Sequence, residues 1–243
     1  MSHLDRFLRA GESGSMLLID KQVGITSFDV IYRLRRWHGV EKAGHAGTLD
    51  PNATGLLIVC IGRETKQLHR FADLEKEYSA TMQLGIQTPS YDTETDVTER
   101  RDFSSVTLDA LMDVCRRFTG RQMQTPPMYS AVKHRGKPLY KYARRGKVLE
   151  RRPKEIDIRQ LSITAFSAPN VEFKVTCSKG TYVRSLVHDI GLALGCGATL
   201  TALRRTRIGE FRVEDAVTLT QLDDAKRLDE LRQNETNDYR IPA

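Results

Sequence analysis

The spacing of apolar residues changes period along this chain, and each change predicts an element. Met16, Leu17, Leu18 and Ile19 form a short apolar run that reads as a strand, and a turn holding Gly24 follows. Thr26 and Asp29 make the T-x-x-D form of a capping box, so a helix is expected to start there. Ile31, Leu34 and either Trp37 or His38 recur at helical spacing, with Arg33, Arg35 and Arg36 off that face, and Gly39 supplies the stop. The run L-L-I-V-C-I (56–61) is apolar without alternation, as expected of a strand covered on both faces. A helix is predicted from Thr65 to about Leu74, with Leu68, Phe71 and Ala72 inward. Tyr78, Ala80, Met82, Leu84 and Ile86 then alternate with small or polar residues, which predicts a strand.

Residues 88–103 are acidic and polar and read as a surface loop or hairpin tip. Thr107 caps a further helix whose stripe is Leu108, Leu111, Met112, Cys115 and Phe118, ended by Gly120. Residues 122–127 read as a breaker. Ile156 and Ile158, then Leu161, Ile163 and Ala165, predict a strand with a phase slip near Gln160, the mark of a bulge. Val171, Phe173, Val175 and Cys177 alternate cleanly. A helix over 181–194 follows, with Leu186, Ile190 and Ala193 in phase, and Ile208, Phe211 and Val213 suggest a late strand pair. Residues 218–238 read as charged and weakly helical. Strands and helices alternate irregularly, so the expected class is α+β: a mixed, largely antiparallel central sheet flanked by helices.

Between the first helix and the run at 56–61 lies G-H-A-G-T-L-D-P-N-A-T-G (44–55). Three glycines and one proline in twelve positions imply a fixed, irregular backbone. It carries one carboxylate, Asp50. Two readings stand on local pattern alone: Asp50 starts an Asp-Pro turn, or it is a reactive group held by a rigid loop.

Composition narrows the function classes. The chain has 243 residues, 40% hydrophobic and 28% charged, enough to build a substantial core. No apolar run reaches membrane-spanning length, and the first fifteen residues lack the apolar core of a signal peptide, so a cytoplasmic protein is expected. Cys60, Cys115, Cys177 and Cys196 are far apart, which argues against zinc ribbons and redox dithiols and for reduced thiols. The net charge of +7 is concentrated. Between Lys133 and Lys154 there are ten cations and one acid, Glu150, so this segment holds nine net positive charges. Tyr140 and Tyr142 lie among those cations, and Tyr129 just precedes them. A solvated loop is one reading. Aromatics interleaved with cations favour nucleic acid, because bases stack where phosphates are neutralised. There is no phosphate-binding P-loop, dinucleotide fingerprint, H-E-x-x-H or serine elbow. His188-Asp189 reads as an ordinary pair on a helix surface.

The stretch at 44–55 resembles the G-H-x-G-T-L-D-P-x-A-x-G signature of the TruB-type tRNA pseudouridine synthases. Further matches follow in order. L-I-D-K (18–21) through G-I-T-S (24–27) is similar to the family's D-K-P-x-G-x-T-S opening. K-E-Y (76–78) resembles its K-x-Y strand start, and P-P-M-Y-S-A-V-K (126–133) its P-P-x-Y-S-A-x-K segment. C-S-K-G-T-Y-V-R-S-L (177–186) resembles its C-S-K-G-T-Y-I-R-x-L block, and L-R-R-T (203–206) the block near the domain's end. The likeness runs over about residues 16–222. Gln22 departs from it by replacing the opening proline.

The resemblance implies an isomerase that converts uridine to pseudouridine at position 55 in the T-loop of tRNA, with the family's sheet-and-helices fold and an active cleft across its middle. No cofactor and no metal are implied, and no obligate protein partner or membrane. Asp50 would be the catalytic carboxylate, with Arg184 pairing it and Tyr78 stacking on the target base and assisting proton loss from C5. Asp50 would add to the base, add to the sugar, or take a sugar proton; all three routes stay open. His45 would occupy or brace the space that the flipped base vacates, and Tyr182 and Leu203 would line the pocket. The RNA-binding insertion would span about 126–153, with Lys133, Lys141, Arg144 and Arg145, and also Lys66, as candidate RNA contacts. The expected organisation is a flexible leader over 1–15, a catalytic domain over 16–222, and a short charged tail over 223–243 with no complete C-terminal PUA domain. Two other classes compete. A non-catalytic RNA-binding module would explain the charge but not the Asp50 loop. A glycosidase would need a second carboxylate partner for Asp50.

Overall fold

In a computed structural model of the protein, which describes residues 14–227, the chain divides into two compact units. The first holds the residues up to Leu74 together with those from Arg205 onward, and the second holds Glu75–Arg204. The first unit opens with β1 (Ser15–Lys21), α1 (Ser27–His38), β2 (Ala43–Ala46), β3 (Thr54–Ile61), a 3-10 turn (Gly62–Gln67) and α2 (Leu68–Ala72). The second contains β4 (Lys76–Leu84), β5 (Ile86–Gln87), β6 (Glu99–Arg100), α3 (Leu108–Arg117), β7 (Gly120–Gln124), β8 (Lys133–His134), β9 (Lys137–Pro138), α4 (Leu139–Ala143), β10 (Lys154–Ser167), β11 (Asn170–Cys177) and α5 (Val183–Ala193). β12 (Ala198–Ile208) starts in the second unit and ends in the first, followed there by β13 (Phe211–Arg212), a 3-10 turn and β14 (Val217–Thr218).

In the first unit, β1 and β2 each pair antiparallel with β3, and β14 adds to β1 in parallel. Leu57, Val59 and Ile61 of β3 pack with Leu17, Ile19, Val30, Ile31 and Leu34, while Leu56, Ile58 and Cys60 pack with Ala46, Ile208 and Val213. Both faces of β3 are therefore covered, which is why its run is continuously apolar. The capping box at α1 is formed: Asp29 N–H donates to Thr26 Oγ1 at 3.0 Å, and Thr26 N–H donates to Asp29 Oδ2 at 2.7 Å. A cap of this kind contributes about 1 kcal/mol. The buried face of α1 is the one predicted, with Val30 added and His38 rather than Trp37 inward. Val30, Ile31 and Leu34 face inward, whereas Trp37 is 55% exposed. The next inward position goes to His38, whose Nε2 lies 2.9 Å from Asp223 Oδ1.

The second unit is built on the antiparallel ladder β4–β11–β10–β7. Its register breaks between Ile158 and Gln160, where the phase slip was expected, and again between Ile163 and Ala165. The fold class read from the sequence holds: helices flank largely antiparallel sheet, with β1 and β14 paired in parallel.

Four local expectations need correction. Residues 120–124 are a strand rather than a breaker: alternation along this edge strand exposes Arg121 and Met123 and turns Gln124 inward. The strand from Tyr78 breaks at Gly85 (φ +81°), where a Cβ would come within 2.5 Å of the Phe103 ring. The helix α3 buries Leu111, Val114 and Cys115 and leaves Leu108 and Met112 more than 40% exposed, so its core face is rotated from the predicted stripe. Residues 88–92 are not a surface loop: Thr88, Ser90 and Asp92 are buried, with both hydroxyls donating to Asp92 O. That bonding satisfies polar groups that would otherwise favour water. All four cysteines are buried and free, as expected.

Candidate active site

The structure confines the irregular part of 44–55 to residues 47–53, because Gly44 to Ala46 join β2 and Thr54 opens β3. This loop is fixed by backbone contacts on both sides of Asp50. Ser27 Oγ, at the start of α1, accepts from Leu49 N–H at 2.8 Å and donates to Leu49 O at 3.1 Å. Gly24 N–H donates to Pro51 O at 2.9 Å, and Ala53 N–H donates to Asp50 O at 3.1 Å. The Asp50 residue is left partly exposed on a loop with little freedom to move.

Two buried cations support the same loop. Lys21 has no exposed surface; its Nζ donates to Ile25 O at 2.7 Å, Gln22 O at 2.9 Å and Pro51 O at 3.4 Å. Burial pulls its pKa down to about 8, the Asp50 carboxylate resists that fall, and the Arg205 guanidinium adds to it. Arg205 is 1% exposed; its Nε donates to Leu56 O at 2.7 Å and its Nη2 to Gly47 O at 3.0 Å. His45, on β2, has its pKa lowered by burial and then by Arg205. Its ring therefore stays neutral near pH 7. Among the described residues its Nδ1 is buried without a hydrogen-bond partner. Lys66 is exposed on the 3-10 turn of the same unit.

The other candidate residues lie in the second unit. Tyr78 is 9% exposed on β4, opposite Val175. Alternation along β4 buries Lys76, Tyr78, Ala80, Met82 and Leu84 on successive odd steps. Tyr182 caps α5, where its backbone is gripped by one side chain. Gln124 Oε1 accepts from Tyr182 N–H at 2.8 Å, and Gln124 Nε2 donates to Tyr182 O at 3.1 Å. Arg184 is buried in the first turn of α5. Its Nη1 donates to Ser90 O at 3.0 Å, its Nη2 to Tyr129 O at 2.9 Å, and its Nε lies 3.4 Å from Asp92 Oδ2. Leu203, on β12, is partly exposed.

The basic segment forms the hairpin β8–β9 and the short helix α4 rather than one long helix. The hairpin turns at Arg135 and Gly136, both at positive φ. Lys133, Lys141, Arg144 and Arg145 are exposed. Arg144 pairs with Glu94 at 2.9 Å and lies over the Tyr140 ring at 5.4 Å.

Lys21, Arg205, Ser90, Asp92 and Gln124 lie outside the set of residues expected from the sequence. A signal for Lys21 was present: it follows Leu17 and Ile19 at the inward phase of β1. His188 and Asp189 are not a plain surface pair. Both are partly buried, His188 stacks on Tyr91 with ring centres 3.8 Å apart, and burial raises the Asp189 carboxyl to about 6.

Comparison with known proteins adds the lineage. Residues 35–183 match the TruB family pseudouridylate synthase N-terminal domain, and 184–239 the tRNA pseudouridylate synthase B C-terminal domain. The chain is 51% identical over 210 residues to a tRNA pseudouridine synthase B of Burkholderia pseudomallei (strain 668), covering 86% of this chain and 69% of that one. It is 47% identical over 220 residues to one of Geotalea uraniireducens (strain Rf4), covering 90% and 70%. Among solved structures it resembles a chain of a Cbf5-Nop10-Gar1 complex, with a TM-score of 0.70 and 32% identity over 91% of this chain and 56% of that one. It also resembles a chain of an H/ACA RNP bound to a substrate RNA containing 2'-deoxyuridine, with a TM-score of 0.66 and 30% identity over 86% and 52%. The chain thus spans little more than half the length of those two solved chains. The two family matches together cover residues 35–239, and on them the chain belongs to the TruB family of pseudouridylate synthases, which are isomerases.

Proposed function

We propose that this enzyme converts uridine to pseudouridine at position 55 in the T-loop of tRNA, with Asp50 as the catalytic aspartate. The observation that carries this reading is the Asp50 loop, the matched family signature, tied down at Leu49 and Pro51 and underlain by two buried cations. The reaction breaks the bond from N1 to C1′, turns the base, joins C5 to C1′ and moves the C5 proton off that carbon, while N1 takes up a proton. A carboxylate held against the sugar or base stabilises or traps the electron-poor centre, as in glycoside chemistry. Substrate and product are isomers, so the net reaction consumes no oxidant or reductant.

The base must leave its stack to be reached. Neutral, partly buried His45 suits the space left behind, and Tyr78 suits a stacking face for the base. Arg184 is the proposed guanidinium partner of Asp50, and Tyr182 and Leu203 the proposed pocket walls. Among the described residues no helix is long and apolar enough to cross a membrane. A tRNA substrate agrees with work in the cytoplasm.

The test is incubation with an unmodified tRNA transcript, followed by mapping of any pseudouridine formed. Product at position 55 is expected; product elsewhere overturns the assignment. A second expectation concerns the basic segment. Replacing Lys133, Lys141, Arg144 and Arg145 by alanine is expected to weaken tRNA binding at least about tenfold at low salt and to flatten its salt dependence by close to one unit per lost phosphate contact. Binding measured across a salt series checks this, and an unchanged slope removes these residues from the interface. Arg144 already holds Glu94, so its phosphate contact is made by exchange of that partner.

A further inference from the structure

Arg205 is the largest of the fully buried side chains among the described residues. A buried guanidinium costs several kcal/mol to desolvate, and an apolar side chain of similar volume is generally the cheaper occupant of such a place. The charge therefore calls for a use. Its partners indicate one. Nε donates to Leu56 O and Nη2 to Gly47 O, two carbonyls nine residues apart that bracket the loop carrying Asp50. The planar fork holds these two directions fixed relative to each other, which a single ammonium head does not.

The backbone of Arg205 grips the same place. Gly55 has φ +100°, and a Cβ there would lie 2.3 Å from Arg205 O and 2.7 Å from Arg205 N. The chain at 55 thus packs directly on the chain at 205, and only glycine permits that approach. Residue 205 contacts both ends of the loop at once: Gly47 at its entrance, Gly55 and Leu56 at its exit.

We propose that Arg205 is a positioning residue: a guanidinium strap that closes the 47–56 loop and sets the place of Asp50 without touching the substrate. This rests on Asp50 being the reacting carboxylate. The strap lies within the first unit, whereas the basic segment proposed to hold tRNA belongs to the second. Loss of the strap is therefore expected to lower the rate of the bound complex and leave tRNA affinity alone.

The experiment compares wild type, Arg205→Lys, Arg205→Ala and Asp50→Asn on an unmodified tRNA transcript, in single turnover at saturating enzyme. Misplacing a reacting group by about 1 Å costs about a hundredfold, so Arg205→Lys is expected to lose about that factor while its tRNA Kd stays within about threefold. Added guanidinium ion is expected to return about tenfold of the rate to Arg205→Ala by refilling the fork's site. Amide hydrogen exchange, which needs no substrate, is expected to speed up over 47–53 and to stay unchanged across α1 and β1. An Arg205→Lys rate within about threefold of wild type overturns the proposal. So does a loss that appears in Kd alone, a lack of rescue, or faster exchange spread over the whole first unit, which would give Arg205 a folding role only. Equal rates for wild type and Asp50→Asn would instead defeat the reading of Asp50, and the exchange result would still decide whether the strap exists.

Discussion

Asp50→Asn is expected to abolish pseudouridine formation, lowering the single-turnover rate by at least about 10⁴-fold, or about 5.5 kcal/mol of barrier. Binding of tRNA is expected to stay within about threefold of wild type, since asparagine keeps the shape of the side chain. The substitution leaves in place the contacts that hold the loop through its main chain. Leu49, Pro51 and Ala53 are held through their main-chain groups, and Asp50 itself accepts from Ala53 N–H through its carbonyl. The variant removes the negative charge at this point. That loss also has a readout independent of catalysis. The Asp50 carboxylate partly offsets the burial that brings Lys21 down to about 8, so in Asp50→Asn the Lys21 pKa is expected to fall further. Titration of Lys21 by NMR in both proteins checks the sign. A variant that keeps its rate within about tenfold of wild type would take Asp50 out of the chemistry.

The Asp50 loop was legible because its signal is composition: glycines and proline crowd between two patterned elements. The first helix was legible because capping chemistry is local, and β3 because a strand covered on both faces has no polar phase to show. What escaped is what tertiary contact creates. Arg205 looks like an ordinary surface cation, and Lys21 shows only its inward phase on β1; nothing local says that their charges end beneath a loop. Asp92 stands in an acidic stretch that reads as solvent-exposed, yet it is buried beside a guanidinium supplied by α5. Most of β12 escaped for a related reason. Its buried positions include Thr199 and Arg205, so burial there follows neighbouring strands rather than an apolar alternation. Sequence period reports which face is greasy; it is silent where a buried face is polar and satisfied by partners far along the chain.

Arg184→Lys is expected to lower the rate of pseudouridine formation about 10²–10³-fold and to destabilise the second unit by about 2 kcal/mol. The three nitrogens of Arg184 serve three different groups, Ser90 O, Tyr129 O and Asp92. A lysine head at the end of a flexible stem serves one of them well, and each buried carbonyl left unmatched costs about 1–3 kcal/mol. Arg184→Ala is expected to be worse, about 3–5 kcal/mol, because Asp92 then stays buried at 5% exposure without that cation. Those losses alone would not tell a scaffold from a group that serves the reaction. The double variant Arg184→Met with Asp92→Leu separates the two. It removes both buried charges together, so stability is expected to return toward wild type by denaturant unfolding. The proposed role toward Asp50 needs the guanidinium itself, so the rate is expected to stay at the level of the single arginine variants. A double variant that regains both stability and rate would make Arg184 scaffold only, and Asp50 would need its orienting cation from elsewhere.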